Sequence, residues 1–261
     1  MTSDADELVR VATDHGVTTL TLDSPHNRNA LSTPLMTQLL SAVRAAVEDP
    51  AVRVIVLSHA GPVFCSGADL KETAAAYASG TVPAGMLGDV LAAVWECPKP
   101  VVARVAGPAR AGGLGLIAAA DIAVCAQDAT FAFTEVRIGV IPAVISATVL
   151  PRLAPRAAAE LYLTGATFDG RRAEQIGLVT AAPPAEALDD TVRDYCAALV
   201  RGGPRALAGA KELLRRHPAA TVREEVSDLA ALSTGYFLSE EGREGVLAFR
   251  EKRSPSWLPP A

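Results

Sequence analysis

Three short stretches of this chain carry residue types that could do chemistry. The first is Ala106–Ala120, where Gly112-Gly113-Leu114-Gly115 follows an apolar strand signal and enters a helix signal. A strand-to-helix junction of this kind aims unpaired backbone N–H groups, at the positive end of a helix dipole, toward a ligand. Glycine lets that ligand approach the backbone closely, so the junction suits a phosphate or a developing oxyanion. The second stretch is Phe64–Glu72 (FCSGADLKE), in which Gly67-Ala68-Asp69-Leu70 leaves a turn and presents N–H groups beside small side chains. Lys71 adds a cation at that edge, although a lone lysine is ordinarily a solvated surface residue. The third is Phe133–Pro142 (FTEVRIGVIP), where Glu135 follows a short strand in apolar company. A carboxylate so placed gains proton affinity and can serve as acid or base; the plainer alternatives are an ion pair with Arg137 or an exposed loop glutamate. Gly113, Gly115 and Ala118 also fit G-x-G-x-x-A. The preceding GPARA loop is too long for a dinucleotide-binding turn, however, and no acidic residue ends a second strand.

The elements that must position these residues alternate. Leu8–Ala12 and Val17–Leu22 read as strands joined by Asp14-His15-Gly16, and Val17–Leu22 is β-branched with period-two alternation. Pro34 opens a helix capped by Ser32 or Thr33, with Leu35, Leu39, Leu40, Val43 and Val47 on one face. Val52–Leu57, Pro100–Val105, Ile122–Cys125, Thr130–Phe133 and the pair Leu178-Val179 read as strands; Gly113–Ala120, Pro155–Thr164 and Arg171–Ile176 read as helices. Such alternation predicts an α/β fold with a largely parallel sheet. Beyond Pro184 only helices follow, over Leu188–Arg201, Pro204–His217, Thr221–Leu238 and Glu240–Lys252. The division is therefore an α/β core over 1–195 and a helical region over 196–261. The apolar stripes of that region, Leu229, Leu232, Tyr236 and Phe237 among them, must cover either this core or a neighbouring subunit.

Composition narrows the function classes. The chain has 261 residues, 50% hydrophobic and 20% charged, with a net charge of −5. An acidic total without a basic stripe argues against nucleic-acid binding. No apolar run is long enough to span a membrane, and the N-terminus, acidic and polar, does not read as a signal peptide. Cys65, Cys97, Cys125 and Cys196 are scattered without metal-ligand spacing and read as buried, reduced thiols of a cytoplasmic protein.

Taken together and in order, VTTLTLDSPHNRNALS, FCSGADLKE, GPARAGGLGLIAAADIAV, FAFTEVRIGVIP, FDGRRAEQIGLV and EGVLAFREKRSPSW resemble the crotonase, or enoyl-CoA hydratase/isomerase, superfamily over nearly the whole chain. The resemblance implies a spiral of repeated β-β-α units followed by C-terminal helices that build trimers, often paired into hexamers. It implies an acyl-CoA thioester as substrate, with no cofactor and no metal. By position, the N–H groups of Ala68 and Gly112 would hold the thioester oxygen and Glu135 would be the acid/base. Arg28, Ala30, Ala68, Asp69, Leu70, Lys71 and Gly112, with Phe249 and Lys252 on the last helix, would contact the CoA part.

One departure matters. Hydratases of the best-known type in this family hold water between two glutamates; the second matches Glu135 and the first matches Gly115, which has no side chain. The expectation is a hydro-lyase acting on an enoyl-CoA, with a Δ3,Δ2-enoyl-CoA isomerase using a single glutamate as the alternative. A non-catalytic acyl-CoA-binding relative is a further alternative. TEVRIGVIPAVIS also resembles hydratases of branched or carboxylated enoyl-CoAs, and the missing side chain at 115 implies extra room at the acyl end.

Overall fold

The computed structural model describes residues 7–69, 72, 84–216, 226, 229–230, 232–236 and 239–258. A tight turn at His15-Gly16, both with positive φ, folds β1 (Val9–Asp14) back on β2 (Val17–Leu22), and Val9 pairs with Leu22. β3 (Val54–His59), β4 (Val101–Val105) and β6 (Ile122–Cys125) then add in parallel, giving the order β1-β2-β3-β4-β6. β3 is buried at every position, as a continuous apolar strand covered on both faces must be. Parallel strands need crossovers, and helices supply them. The first is α1 (Thr33–Glu48), capped by Ser32, which accepts from the Leu35 N–H and leaves Leu35, Met36, Leu39, Val43 and Ala46 on the buried face. The second contains α2 (Ala84–Trp95), whose low periodicity hid it from the pattern reading.

A second sheet of three short strands does the positioning. β5 (Ala109–Arg110) runs parallel to β7 (Thr130–Ala132), and β7 pairs antiparallel with β8 (Phe168–Asp169). Its register, Ala109 opposite Phe131 and Arg110 opposite Ala132, sets the residues after β5 against those after β7. α3 (Gly112–Ala119) follows β5 directly and is buried along its whole length against α4 (Ala143–Val149).

The C-terminal half begins with α5 (Pro155–Thr164) and α6 (Gly170–Gln175). Leu178-Val179 is not a strand. Gly177 turns the chain out of α6 at φ 87°, and both following N–H groups bond back to the Ala173 carbonyl at 2.9 and 3.3 Å. The pairing with β6 comes two residues later, as a single bridge from Ala181 to Val124.

α7 (Leu188–Val200) packs in cis on β3, β4 and β6, so residue 195, where the pattern placed the division, lies inside a helix seated on the core. α8 (Pro204–Arg215) is tied down by the buried Lys211, which donates to Asp121 at 2.5 Å and to the Lys99 carbonyl at 2.8 Å. Arg53 donates to the carbonyls of Gly202 and Trp257 and holds the segment beyond α9 (Glu240–Glu251) against the core. Of the helix expected over Thr221–Leu238, 232–236 is helical and most of the rest lies outside the described residues. No helix among the described residues is long and apolar enough to cross a membrane.

Candidate active site

The loops that leave β3 and β4 at their C-terminal ends carry Ala68 and Gly112. They are zipped to each other: the Phe64 N–H donates to the Pro108 carbonyl at 3.0 Å, the Arg110 N–H donates to the Cys65 carbonyl at 2.9 Å, and Cys65 bridges Ala109. His59, at the end of β3, adds a side-chain tie, its Nε2 accepting from the Ala106 N–H at 3.0 Å. Burial, with Arg104 nearby, holds that imidazole down at about 4, so it stays neutral at neutral pH.

Asn29 clamps the same region from the other side. It is fully buried; its Oδ1 accepts from the Ser24 N–H at 2.7 Å and its Nδ2 donates to the carbonyls of Ala60 and Val63 at 3.0 and 2.8 Å. Nothing in its sequence neighbours distinguishes Asn29 from Asn27.

These ties leave the two donors open. Gly67, at φ 94°, gives its carbonyl to the Leu31 N–H at 2.8 Å and its N–H to the Cys65 Sγ at 3.5 Å. The next N–H, that of Ala68, has no acceptor among the described residues. Gly112 opens α3, so its N–H has no intrahelical partner, and none is found elsewhere among the described residues. Ahead of it stands Ala111, held at φ 46° and ψ −117°, a conformation L-residues rarely adopt.

Glu135 begins a 3₁₀ turn over Glu135–Ile138, directly after β7 and Phe133-Thr134. Its Oε2 is buried without a hydrogen-bond partner. Burial raises its proton affinity above the usual carboxylate value, with only its own N–H acting the other way. No ion pair with Arg137 forms among the described residues. Nearby, the Tyr162 phenol and the Ser146 hydroxyl lie 3.3 Å apart; the phenol is pushed up by burial and, further, by Glu135. Neither residue carried a sequence signal.

A cavity of about 310 Å³ joins these parts. Ala68, Asp69, Gly112 and Glu135 line it together, with Ala111, Leu31, Met36, Glu72 and Leu87 on one side and Ile141–Ile145 on the other. Asp69 accepts from Asn27 at 3.5 Å and from the Glu72 N–H at 3.2 Å, while Glu72 caps α1 at Thr33. The remaining candidates lie elsewhere. Arg28 is exposed, and Ala30 is buried and does not line the cavity. Phe249, 86% exposed, and Lys252, which ends α9, do not line the cavity of this chain. Leu70 and Lys71 fall outside the described residues. All four cysteines are free and buried.

The expectation of extra room at Gly115 is corrected. A Cβ there would lie 2.7 Å from the Ile145 Cγ2 and 3.3 Å from the Leu91 Cδ1. Ile145 reaches across from α4, and the Thr148 hydroxyl pins the same helix by donating to the Gly115 carbonyl at 3.0 Å. The volume of a first glutamate is thus occupied by apolar side chains.

Two backbone donors without acceptors among the described residues and a half-buried carboxylate line one largely apolar cavity, an arrangement that suits polarising a carbonyl and moving a proton beside it. Comparison with known proteins gives the family. The family model for enoyl-CoA hydratase/isomerase matches residues 12–259, and the chain belongs to that family of enzymes. It is 36% identical to a putative enoyl-CoA hydratase of Thermus thermophilus, over 95% of this chain and 99% of the relative. It is 31% identical to a peroxisomal Delta(3,5)-Delta(2,4)-dienoyl-CoA isomerase of Arabidopsis thaliana, over 95% of each chain. Pseudomonas aeruginosa AtuE superposes with a TM-score of 0.90 at 34% identity, covering 97% of this chain and all of that one. The fold is accordingly the α/β crotonase fold with C-terminal helices.

Proposed function

We propose that the enzyme adds water across the C2=C3 bond of an enoyl-CoA. The thioester oxygen accepts from the N–H groups of Ala68 and Gly112, which draws electron density from C3. Glu135 takes a proton from water as its oxygen attacks C3, the C2=C3 electrons move toward the thioester as an enolate, and Glu135 returns the proton to C2. No cofactor enters. The observation that carries this reading is the buried, unpartnered Oε2 of Glu135 in the same cavity as two N–H groups that have no acceptor among the described residues. Donors fixed before the charge develops need no reorganisation, which is why such a cradle lowers the barrier.

A second reading uses the same three residues. With the space at Gly115 filled by apolar side chains, position 115 supplies no acid, and one carboxylate suffices to carry a proton from C4 to C2 of a 3-enoyl-CoA. Supplying purified protein with 2-enoyl- and 3-enoyl-CoA thioesters separates the two. Formation of 3-hydroxyacyl-CoA from the 2-enoyl substrate supports hydration; rapid conversion of the 3-enoyl substrate with no hydroxyacyl product replaces hydration with isomerisation; binding without turnover of either leaves a non-catalytic acyl-CoA protein. The same reading carries a cytoplasmic homotrimer or homohexamer, for which the exposed Leu214 and Phe249 of the C-terminal helices offer apolar surface.

A further inference from the structure

We infer that His59 is a positioning residue: its imidazole, as a hydrogen-bond acceptor, fixes the loop that carries Gly112 against the loop that carries Ala68. The inference rests on the thioester cradle of the reading above, but not on which reaction follows polarisation. β3 and β4 pair only as far as Leu57 opposite Ala103. Beyond that pair the two chains part, and both donor loops start there. His59 spans the gap. Its backbone stays in register with Leu22 of β2, and the following N–H, that of Ala60, donates to the Leu22 carbonyl at 2.8 Å. Its side chain reaches the other neighbour, where Nε2 accepts from the Ala106 N–H, just past β4, at 3.0 Å. The ring also meets that of Phe64 edge to face, with centroids 5.5 Å apart. Phe64 in turn donates its N–H to the Pro108 carbonyl at 3.0 Å. One side chain thus touches both loops at their roots.

Only the neutral ring can do this. Nε2 accepts through its lone pair, so the proton of the neutral imidazole sits on Nδ1. A charged ring would carry N–H groups at both nitrogens and set one of them against the Ala106 N–H. The surroundings hold the neutral form: the ring is buried and the Arg104 guanidinium, paired to Asp189 at 2.5 Å, stands nearby. The carbonyls of Ala60, Gly61 and Val63 act the other way and are outweighed. Nδ1 is buried without a hydrogen-bond partner among the described residues. An unpaired buried N–H lowers stability, so what this position gains from histidine is the acceptor at Nε2.

The test separates polarisation from chemistry. Butyryl-CoA, which can be neither hydrated nor isomerised, is bound with an isotope label at its thioester carbonyl, and the carbonyl stretch is read by difference infrared spectroscopy; turnover is read with 2-enoyl and 3-enoyl thioesters. In the wild type the band should lie below that of the free thioester in water. His59→Leu, which keeps apolar bulk and loses the acceptor, should move the band back toward the free value. It should also lower kcat by about ten- to hundredfold with KM changed by less than about threefold. His59→Gln, whose amide oxygen can accept in place of Nε2, should keep the band and hold kcat within about threefold of the wild type. Nitrogen NMR of the wild-type ring needs no substitution, and should find it neutral at neutral pH with its proton on Nδ1. A proton on Nε2, an unmoved band and kcat in His59→Leu, or equal damage from leucine and glutamine each overturns the assignment, the last because packing rather than accepting would then be what counts. A wild-type band no lower than in water removes the cradle and this inference with it. A band that moves back in His59→Leu without turnover of either enoyl thioester supports His59 and counts against hydration alone.

Discussion

In the proposed site the cradle of Ala68 and Gly112 is held from several directions by backbone, whereas the proposed acid/base, Glu135, is one side chain at the start of a 3₁₀ turn. Around the cradle, Gly67 is bonded to Leu31, Ser66 to Arg28, Phe64 to Pro108 and Arg110 to Cys65. Beyond Glu135 the chain runs through Ile138, 70% exposed, to Ile141, 74% exposed. Short of proline, no side-chain substitution deletes a backbone donor, so the cradle changes mainly when its loops move. The opposite wall can be rewritten one side chain at a time, and here it has been: an apolar residue from α4 fills the place of a second acid. On the proposed reading, such a division of labour would keep polarisation constant while varying what is done with the polarised thioester.

The largest break in that comparison is Glu135→Gln. General acid–base assistance is worth about 10²–10⁴ in rate, so kcat should fall by that factor while KM for the thioester changes by less than about threefold, the cradle being intact. The same variant should be more stable near neutral pH. Burial raises the Glu135 pKa in the folded protein, so the folded state binds that proton more tightly than the unfolded chain does. This favours folding at low pH and is lost as pH rises through the raised pKa. Near neutrality the ionised carboxylate is therefore a cost that glutamine removes. Thermal melts should show the variant above the wild type at neutral pH, with the gap closing toward acid. The acid limb of wild-type kcat/KM should lie above the ordinary glutamate value of 4.5. A limb at or below that value would remove Glu135 as the base.

Gly112→Ala attacks the other half. The new Cβ would meet the Leu31 Cδ1 at 2.7 Å and the Leu87 Cδ2 at 3.5 Å, so the first turn of α3 must shift or Leu31 must turn away. Losing one oxyanion donor costs about 10²–10³ in kcat. The double variant with Glu135→Gln should lose less than the product of the two single losses if cradle and carboxylate act on one enolate; fully multiplicative losses, read from the same assay, would mean that they serve separate steps.

What the sequence made legible follows the same division. The strands β2 and β6 and the helix Pro155–Thr164 were read to the residue, because alternation, β-branching and an N-terminal proline are local signals. The two junctions that carry the proposed cradle stood out too, since a glycine-rich strand-to-helix junction has a mechanical meaning wherever it occurs, and the family resemblance narrowed them to Ala68 and Gly112. The buried clamp of Asn29, the stacking of Ile145 on Gly115 and the closeness of Ser146 and Tyr162 to Glu135 were not legible. Each depends on residues distant in sequence: Asn29 meets Ala60 and Val63 because β2 lies beside β3, Ile145 meets Gly115 through the packing of α3 on α4, and Tyr162 is brought to Ser146 from another helix. A glycine in a sequence says that a side chain is missing; it does not say whether the space is empty.

The smallest expected effect tests whether the cradle is over-determined or strained into place. Ala111 stands at φ 46° with its methyl 3.0 Å from the position a Gly67 Cβ would take, so it wedges the loop of one donor against the loop of the other. A non-glycine residue so held costs about 1–3 kcal/mol. Ala111→Gly removes that cost, against an entropic penalty of about 0.5–1 kcal/mol for the glycine. The net gain, on the order of 1 kcal/mol, should raise Tm by about 2–4 °C. The freed backbone also lets the Gly112 N–H wander, and because small misplacements at a reacting centre are expensive, kcat should fall by about two- to fivefold. A higher Tm with unchanged kcat would mean that the β5–β7 register and the ties around Cys65 already fix the donor, and that the strain at Ala111 only lowers stability. A fall in kcat alongside the higher Tm would mean that the cradle, for all its hydrogen bonds, depends on one strained residue much as the opposite wall depends on Glu135.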